Sequence, residues 1–187
     1  IPPGGTRKVE TVVRAKNRGG KDLVVYVQAL DTAITTHQLP IRYFESSAMA
    51  AAFPASTARL RELTPESLHV VEAWPGRAPV GIMCFEYTRT TVGAYGEIGV
   101  CWPVVDAKRR PPPILPLVFD RRWPGLGWWV HRLPVTTEIA NHAGRTLWGY
   151  PKFVASIEFD WRDDTRICTL AEGGQDILRL SVDTRMP

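Results

Sequence analysis

The sequence EIANHAGRTLWGYPK, which spans Glu138–Lys152, joins a helix pattern to a strand pattern. Apolar residues recur at helical spacing in its first half, and its leading carboxylate suits the positive end of a helix dipole. A glycine and then Pro151 end the helix, because proline cannot continue it. From Phe153 onward the apolar period becomes two, as in a strand. The stretch therefore predicts a helix-to-strand junction, with Lys152 at the start of the strand.

Lys152 lies on the opposite face of this strand from Phe153, so we expect its side chain to enter the interior of a sheet. Burial disfavours an ammonium and lowers the pKa of a lysine, and a neutral amine can attack carbonyl carbon. Spacing alone leaves a second interpretation open, in which the lysine stem packs and its charged end reaches water. The junction thus predicts either a nucleophilic or a structural lysine.

The rest of the chain predicts a mainly β fold. From residue 67 onward, strand patterns alternate with turn signals, which is typical of an antiparallel, barrel-like or folded sheet. Two short helices are expected, one at 54–63 and one before Lys152, and the alanine-rich run 48–53 suits either helix or strand. The expected strands are 22–30, 41–47, 68–74, 80–88, 94–105, 114–119, 127–133, 153–161, 165–171 and 176–183.

Length and composition indicate one domain with a sizeable core. The chain has 187 residues, of which 44% are hydrophobic. Residues 1–21 are rich in glycine, lysine and arginine, and we interpret them as a flexible lead-in to a single domain at 22–187. A net charge of +4 gives little support to nucleic-acid binding, and the basic run 108–110 before three prolines is typical of a solvated loop.

The cysteines and the hydropathy bear on location. Cys84, Cys101 and Cys168 all lie in apolar, strand-like surroundings, which favours buried, reduced thiols in a cytoplasmic protein. No apolar run in the sequence approaches membrane-spanning length, so we expect no membrane partner. The four histidines are scattered and none has metal-ligand spacing, so no metal site is predicted.

The junction also carries a family resemblance. The pair Gly144-Arg145, then Leu147, then Tyr150-Pro151-Lys152 resembles the acetoacetate decarboxylase family without a gap. A weaker match is Tyr95-x-Glu97, where the family has its acid/base glutamate. The resemblance implies that Lys152 forms a Schiff base with a β-keto acid. It also implies the family's β fold, no cofactor and a homo-oligomeric assembly.

Three positions depart from the family pattern. Thr146 stands where the family has glutamate, and Phe153 stands where the founding decarboxylases have a second lysine. A further family glutamate, upstream of Glu97, falls near Ile82. These departures concern the reaction on acetoacetate itself more than Schiff-base chemistry in general. Without a second lysine nearby, desolvation must do more to activate Lys152.

Lys152 and Glu97 are the predicted catalytic pair. Decarboxylation through an imine leaves an enamine carbon that needs a proton, and Glu97 is the expected donor. The alternating strand around Glu97 equally suits a solvent-facing glutamate, and Glu86 is a second candidate donor.

The predicted substrate-binding residues are Arg145, Arg42, Tyr150 and Trp148. A guanidinium fork can hold a carboxylate, although Arg145 also suits a cation that caps the last turn of a helix. Arg42 is a rival carboxylate binder near the strand where the family has an active-site arginine. Trp148 and Tyr150, with the pair at 128–129, are expected to wall the lysine off from water.

The sequence thus predicts a Schiff-base-forming lyase that decarboxylates a small keto acid. The same imine could serve an aldolase or dehydratase, which is the first alternative. The second alternative is a β-barrel that binds a small carbonyl compound or acid without turnover. Labelling by borohydride in the presence of a carbonyl compound separates the enzymes from the inert barrel.

Overall fold

The computed structural model describes residues 9–16, 22–29, 39–108, 125–162 and 164–185. The strand predicted at 114–119 lies outside these ranges. Within them the strands are β1 (Val9–Lys16), β2 (Asp22–Ala29), β3 (Tyr43–Ser56), β4 (Leu68–Val70), β5 (Arg77–Thr90), β6 (Tyr95–Asp106), β7 (Gly127–Val135), β8 (Lys152–Val154), β9 (Ser156–Trp161), β10 (Thr165–Glu172) and β11 (Gln175–Asp183). The helices are α1 (Thr57–Glu62) and α2 (Glu138–Trp148). The predicted mainly β fold with two short helices is confirmed.

The strands form three sheets. The largest has six strands in the order β3-β5-β6-β7-β8, with β4 also paired to β6. A three-stranded sheet has the order β11-β10-β9, and β1 pairs with β2. Across the described residues the two larger sheets pack against one another, and no sheet closes into a barrel. Of the two forms that the sequence predicted, the folded sheet is therefore the correct one.

One strand pair departs from the predicted antiparallel arrangement. β7 and β8 are parallel, with Leu133 opposite Lys152. The reason is α2, which lies between them in the chain and carries it back along the sheet, as a helical crossover must between parallel strands. This crossover places Lys152 beside a central strand of the largest sheet.

The two larger sheets share a core. Cys84 and Ile98 of the six-stranded sheet pack against Cys168, Leu170 and Leu180 of the three-stranded sheet. Strand alternation sends the neighbours of Cys84 and Ile98 to the opposite face. That opposite face carries the candidate site.

Several local predictions need correction. Residues 9–16 form a strand paired with β2 that was not predicted, and their valines favour an extended backbone. The run 48–53, which the sequence left open between helix and strand, is strand, since pairing with β5 outweighs the helix propensity of alanine. The strand predicted at 68–74 ends at Val70. The strand predicted at 153–161 divides at Ala155, whose N–H donates to the carbonyl of Val135 at 3.0 Å.

The helices bear on membrane association. Among the described residues, no helix is long and apolar enough to cross a bilayer.

Candidate active site

Helix α2 and its ends position the lysine. The helix begins after Thr137, whose hydroxyl accepts a hydrogen bond from the N–H of Ala140 at 3.4 Å. It ends at Gly149, which adopts a left-handed conformation with φ of 67°. Pro151 then directs the chain into β8, which begins with Lys152. The glycine at the end of the helix and the junction with β8 agree with the sequence prediction.

Lys152 and Glu97 form a buried ion pair. The Nζ atom of Lys152 lies 2.6 Å from Oε2 of Glu97, and their side chains are 7% and 12% exposed. Charge-assisted hydrogen bonds of this kind are stronger than neutral ones, and removing one partner leaves an unpaired buried charge. The contact places a carboxylate, a group that can accept or donate protons, within hydrogen-bond reach of the amine.

A tyrosine cluster borders the ion pair. The ring of Tyr95 lies 5.5 Å from Nζ of Lys152, and its hydroxyl lies 3.1 Å from that of Tyr43. Tyr87 packs against both rings, with centroids 4.8 Å away in each case. Burial is the main reason that the pKa of Tyr95 is raised, followed by its hydrogen bond to Tyr43 and the negative charge of Glu97. Tyr95 thus presents a neutral ring to a cation, a favourable electrostatic arrangement.

The ion pair opens into a cavity of about 250 Å³. Most of its walls are apolar, and three half-exposed aromatic residues lie at its rim. The apolar wall residues are Met83, Phe85, Val130 and Leu133, and the rim residues are Tyr43, Trp148 and Tyr150. A largely apolar cavity with a few convergent polar groups is the usual character of a small-molecule site.

Four of the six predicted site residues meet in this cavity. Lys152, Glu97, Trp148 and Tyr150 all line it. Although the sequence places Glu97 far from the junction, the pairing of β6, β7 and β8 brings its carboxylate to the amine. Their roles remain predictions.

The two arginines lie elsewhere. Arg145 donates from its guanidinium to the backbone carbonyl of Lys152 at 2.9 Å, and it is exposed. Arg42 is exposed, and its backbone N–H donates to Thr91 Oγ1 at 3.1 Å. Neither is among the described residues that line the cavity. Arg145 therefore contacts the strand that carries the lysine.

Other sequence candidates lie outside the cavity as well. Glu86 accepts a hydrogen bond from the indole N–H of Trp161, on the side of the sheet away from Glu97. Trp129 packs near Trp102 in a separate core cluster, and Trp128 is exposed. The indoles at 128–129 are thus not among the described cavity walls.

Sequence reasoning missed much of the cavity wall. Met83 and Phe85 share one face of β5, and Gly99 shares a face of β6 with Glu97. Period-two alternation puts Gly99 on the same face as Glu97, but it does not reveal that this face lines a cavity. The pairing of Phe85 with Glu97 depends on strand register, which the sequence does not reveal.

The described residues thus form a small-molecule site, in which a lysine–glutamate pair lines an apolar cavity on a folded, mainly antiparallel sheet. The chain belongs to the acetoacetate decarboxylase family, because the family model described as "Acetoacetate decarboxylase (ADC)" matches residues 31–187. No curated protein matches the chain.

Solved structures agree on the fold. The acetoacetate decarboxylase of Legionella pneumophila subsp. pneumophila str. Philadelphia 1 superposes with a TM-score of 0.62 at 20% identity, covering 79% of this chain and 51% of that one. A second acetoacetate decarboxylase structure gives a TM-score of 0.60 at 21% identity, with coverages of 80% and 53%. The chain thus spans about half the length of the solved structures that it matches.

Proposed function

We propose that the protein is a Schiff-base-forming lyase that decarboxylates a small β-keto acid, with Lys152 as nucleophile and Glu97 as proton carrier. The observation that carries this proposal is the 2.6 Å contact between the Lys152 amine and the Glu97 carboxylate at the cavity. Family membership supports the same chemistry. The burial of the amine keeps water away from the carbon–nitrogen bond that must form.

The first steps form the imine. Glu97 accepts a proton from Lys152, and the neutral amine attacks the keto carbon of the substrate. Glu97 returns this proton to the oxygen of the addition intermediate, and loss of water then gives a protonated imine, which withdraws electrons from the adjacent carbon. The bond to the carboxylate then breaks, its electron pair forms an enamine, and carbon dioxide leaves.

The last steps restore the enzyme. Glu97, which takes up a new proton from water, protonates the enamine carbon. Water adds to the imine, the ketone departs and the amine is regenerated. The ring of Tyr95, 5.5 Å from Nζ, stabilises the positive charge of the protonated imine. Trp148 and Tyr150 at the rim restrict the access of water.

Carbon dioxide release from acetoacetate tests the proposal. We expect Lys152→Arg to reduce release to the background rate, because a guanidinium stays protonated and cannot attack a carbonyl. Lys108→Arg, a matched change at an exposed lysine, should behave as the wild type does. Equal release by Lys152→Arg and wild type would contradict the proposal. An adduct on Lys152 without carbon dioxide release would favour aldol or dehydration chemistry.

The proposal extends to the oligomeric state and the location of the protein. We propose a homo-oligomer in the cytoplasm, consistent with the burial of all three free cysteines. Sedimentation of the intact protein measures the oligomeric state, and cell fractionation measures the location.

A further inference from the structure

Three alternate residues of one strand line the cavity. Glu97, Gly99 and Cys101 all line it and follow one another on β6. At about 3.3 Å per residue, the distance from Glu97 to Cys101 along the strand is roughly 13 Å. The ion pair lies at the Glu97 end, so the cavity extends well beyond the reacting amine.

Apolar side chains flank this strand on both sides. On β5, Phe85 lies opposite Glu97 and Met83 lies opposite Gly99. On β7, Val130 lies opposite Cys101. Burial raises the pKa of the Cys101 thiol, so this group stays neutral and behaves as a small apolar residue. Among the described lining residues, the part of the cavity beyond Glu97 therefore offers no charge.

Gly99 leaves the middle of this apolar part open. A Cβ on Gly99 would lie 3.6 Å from Cδ1 of Leu133 and 3.8 Å from Cε of Met83, both ordinary contacts. Its backbone is also outside the left-handed region that favours glycine. Neither crowding nor conformation requires glycine at this position. The lack of a side chain instead adds depth to the cavity.

We propose that the substrate is a keto acid with an unbranched apolar tail of several carbons, which lies along β6 over Gly99 toward Cys101. This inference rests on the proposed imine at Lys152, which fixes the carbonyl end of the substrate. Each methylene that enters the apolar channel should tighten binding roughly fourfold. A substrate as small as acetoacetate leaves the channel unfilled.

Reductive trapping of 2-alkanones tests the channel. Acetone and its linear homologues up to 2-nonanone are incubated with the protein and cyanoborohydride, and the half-saturating concentration is read by mass spectrometry. We expect this concentration to fall with each added methylene until the tail reaches Cys101. Gly99→Leu should still trap acetone but lose the dependence on chain length. Gly127→Leu is a matched change on β7, where a Cβ meets nothing within 4 Å, and this variant should keep the dependence on chain length.

A second readout does not depend on the imine. Linear 2-alkanols cannot form an imine. We expect the longer alcohols to raise the melting temperature of the wild type by more than they raise that of Gly99→Leu. If no ketone is trapped but this difference appears, the proposed function fails and the channel stands. If all ketones are trapped at one half-saturating concentration and the alcohols show no difference, the channel proposal is overturned while the imine stands.

A milder variant guards against misfolding. Gly99→Ala adds one carbon at ordinary contact distances, so it should fold. We expect it to weaken trapping of the longer ketones severalfold more than it weakens trapping of acetone. Equal loss for acetone and the longer ketones would contradict the channel.

Discussion

Gly144 lies directly against the side chain of Lys152. A Cβ on Gly144 would stand 2.3 Å from Cδ of the lysine and 2.5 Å from Cε, closer than two carbons can approach. The lysine stem therefore crosses α2 at a residue without a side chain. This contact helps to fix the direction of the amine toward Glu97.

We predict that Gly144→Ala displaces the amine and lowers acetone trapping tenfold or more. Alanine in a helix interior normally stabilises by about 0.5–1 kcal/mol relative to glycine. Here the added methyl must move the lysine stem, so the melting temperature should fall. In a Lys152→Ala background, where no lysine stem is in the way, Gly144→Ala should raise the melting temperature. Full trapping by Gly144→Ala, or a fall in both backgrounds, would argue against this contact.

Arg145 should act through Lys152 and not through a substrate carboxylate. Its guanidinium holds the Lys152 carbonyl at 2.9 Å. We expect Arg145→Met to weaken trapping of uncharged acetone and of acetoacetate by the same factor, and to lower the free energy of unfolding by about 1 kcal/mol. Arg59→Met removes only an exposed pair and is the control. A loss confined to acetoacetate would show instead that Arg145 binds the carboxylate.

Glu97→Gln should separate imine formation from turnover. Glutamine preserves the shape of the side chain but cannot deliver a proton to the enamine. General acid catalysis contributes about a hundredfold or more, so we expect turnover to fall by at least that factor, while formation of the adduct, which needs Glu97 only as a base, slows far less. Rates of carbon dioxide release and of trapping are compared in one preparation. Unchanged turnover would assign Glu97 a structural role.

The tyrosine cluster predicts a loss of stability in alkali. Burial, and then the charge of Glu97, raise the pKa of Tyr87, and the pKa of Tyr95 is also raised. The folded state thus holds these protons more tightly than the unfolded chain. Their contribution is fully present below the unfolded value of about 10 and declines as the pH rises above it.

Urea unfolding between about pH 8 and pH 11 measures this decline. Tyr87→Phe removes one of the two groups, and we expect its free energy of unfolding to fall less steeply above pH about 10. Parallel curves for the wild type and Tyr87→Phe would contradict the assignment.

Local features were predictable from the sequence, because they depend on interactions between residues that are close in the chain. The end of α2 at Gly149 depends on residues within one turn of the helix. The strand patterns around Glu97 and Lys152 likewise follow from period two. What the sequence could indicate only through a family motif is the meeting of these two residues, which are 55 positions apart.

The features that the sequence did not predict depend on pairing between strands that are distant in the chain. The alanines of β3 favour a helix locally and become strand only because β5 pairs with them. The parallel partnership of β7 with β8 depends on the path of α2 between them. Arg145 had two interpretations from sequence, and its contact with the Lys152 carbonyl depends on how β8 folds back.

The position of the reduced adduct tests the central claim most directly. The protein is incubated with acetone and cyanoborohydride, digested, and mapped by mass spectrometry. We expect one adduct per chain, on the peptide that contains Lys152, and none in Lys152→Arg. An adduct on another lysine, or equal labelling of the arginine variant, would contradict the assignment of Lys152 as nucleophile and favour a binding protein without imine chemistry.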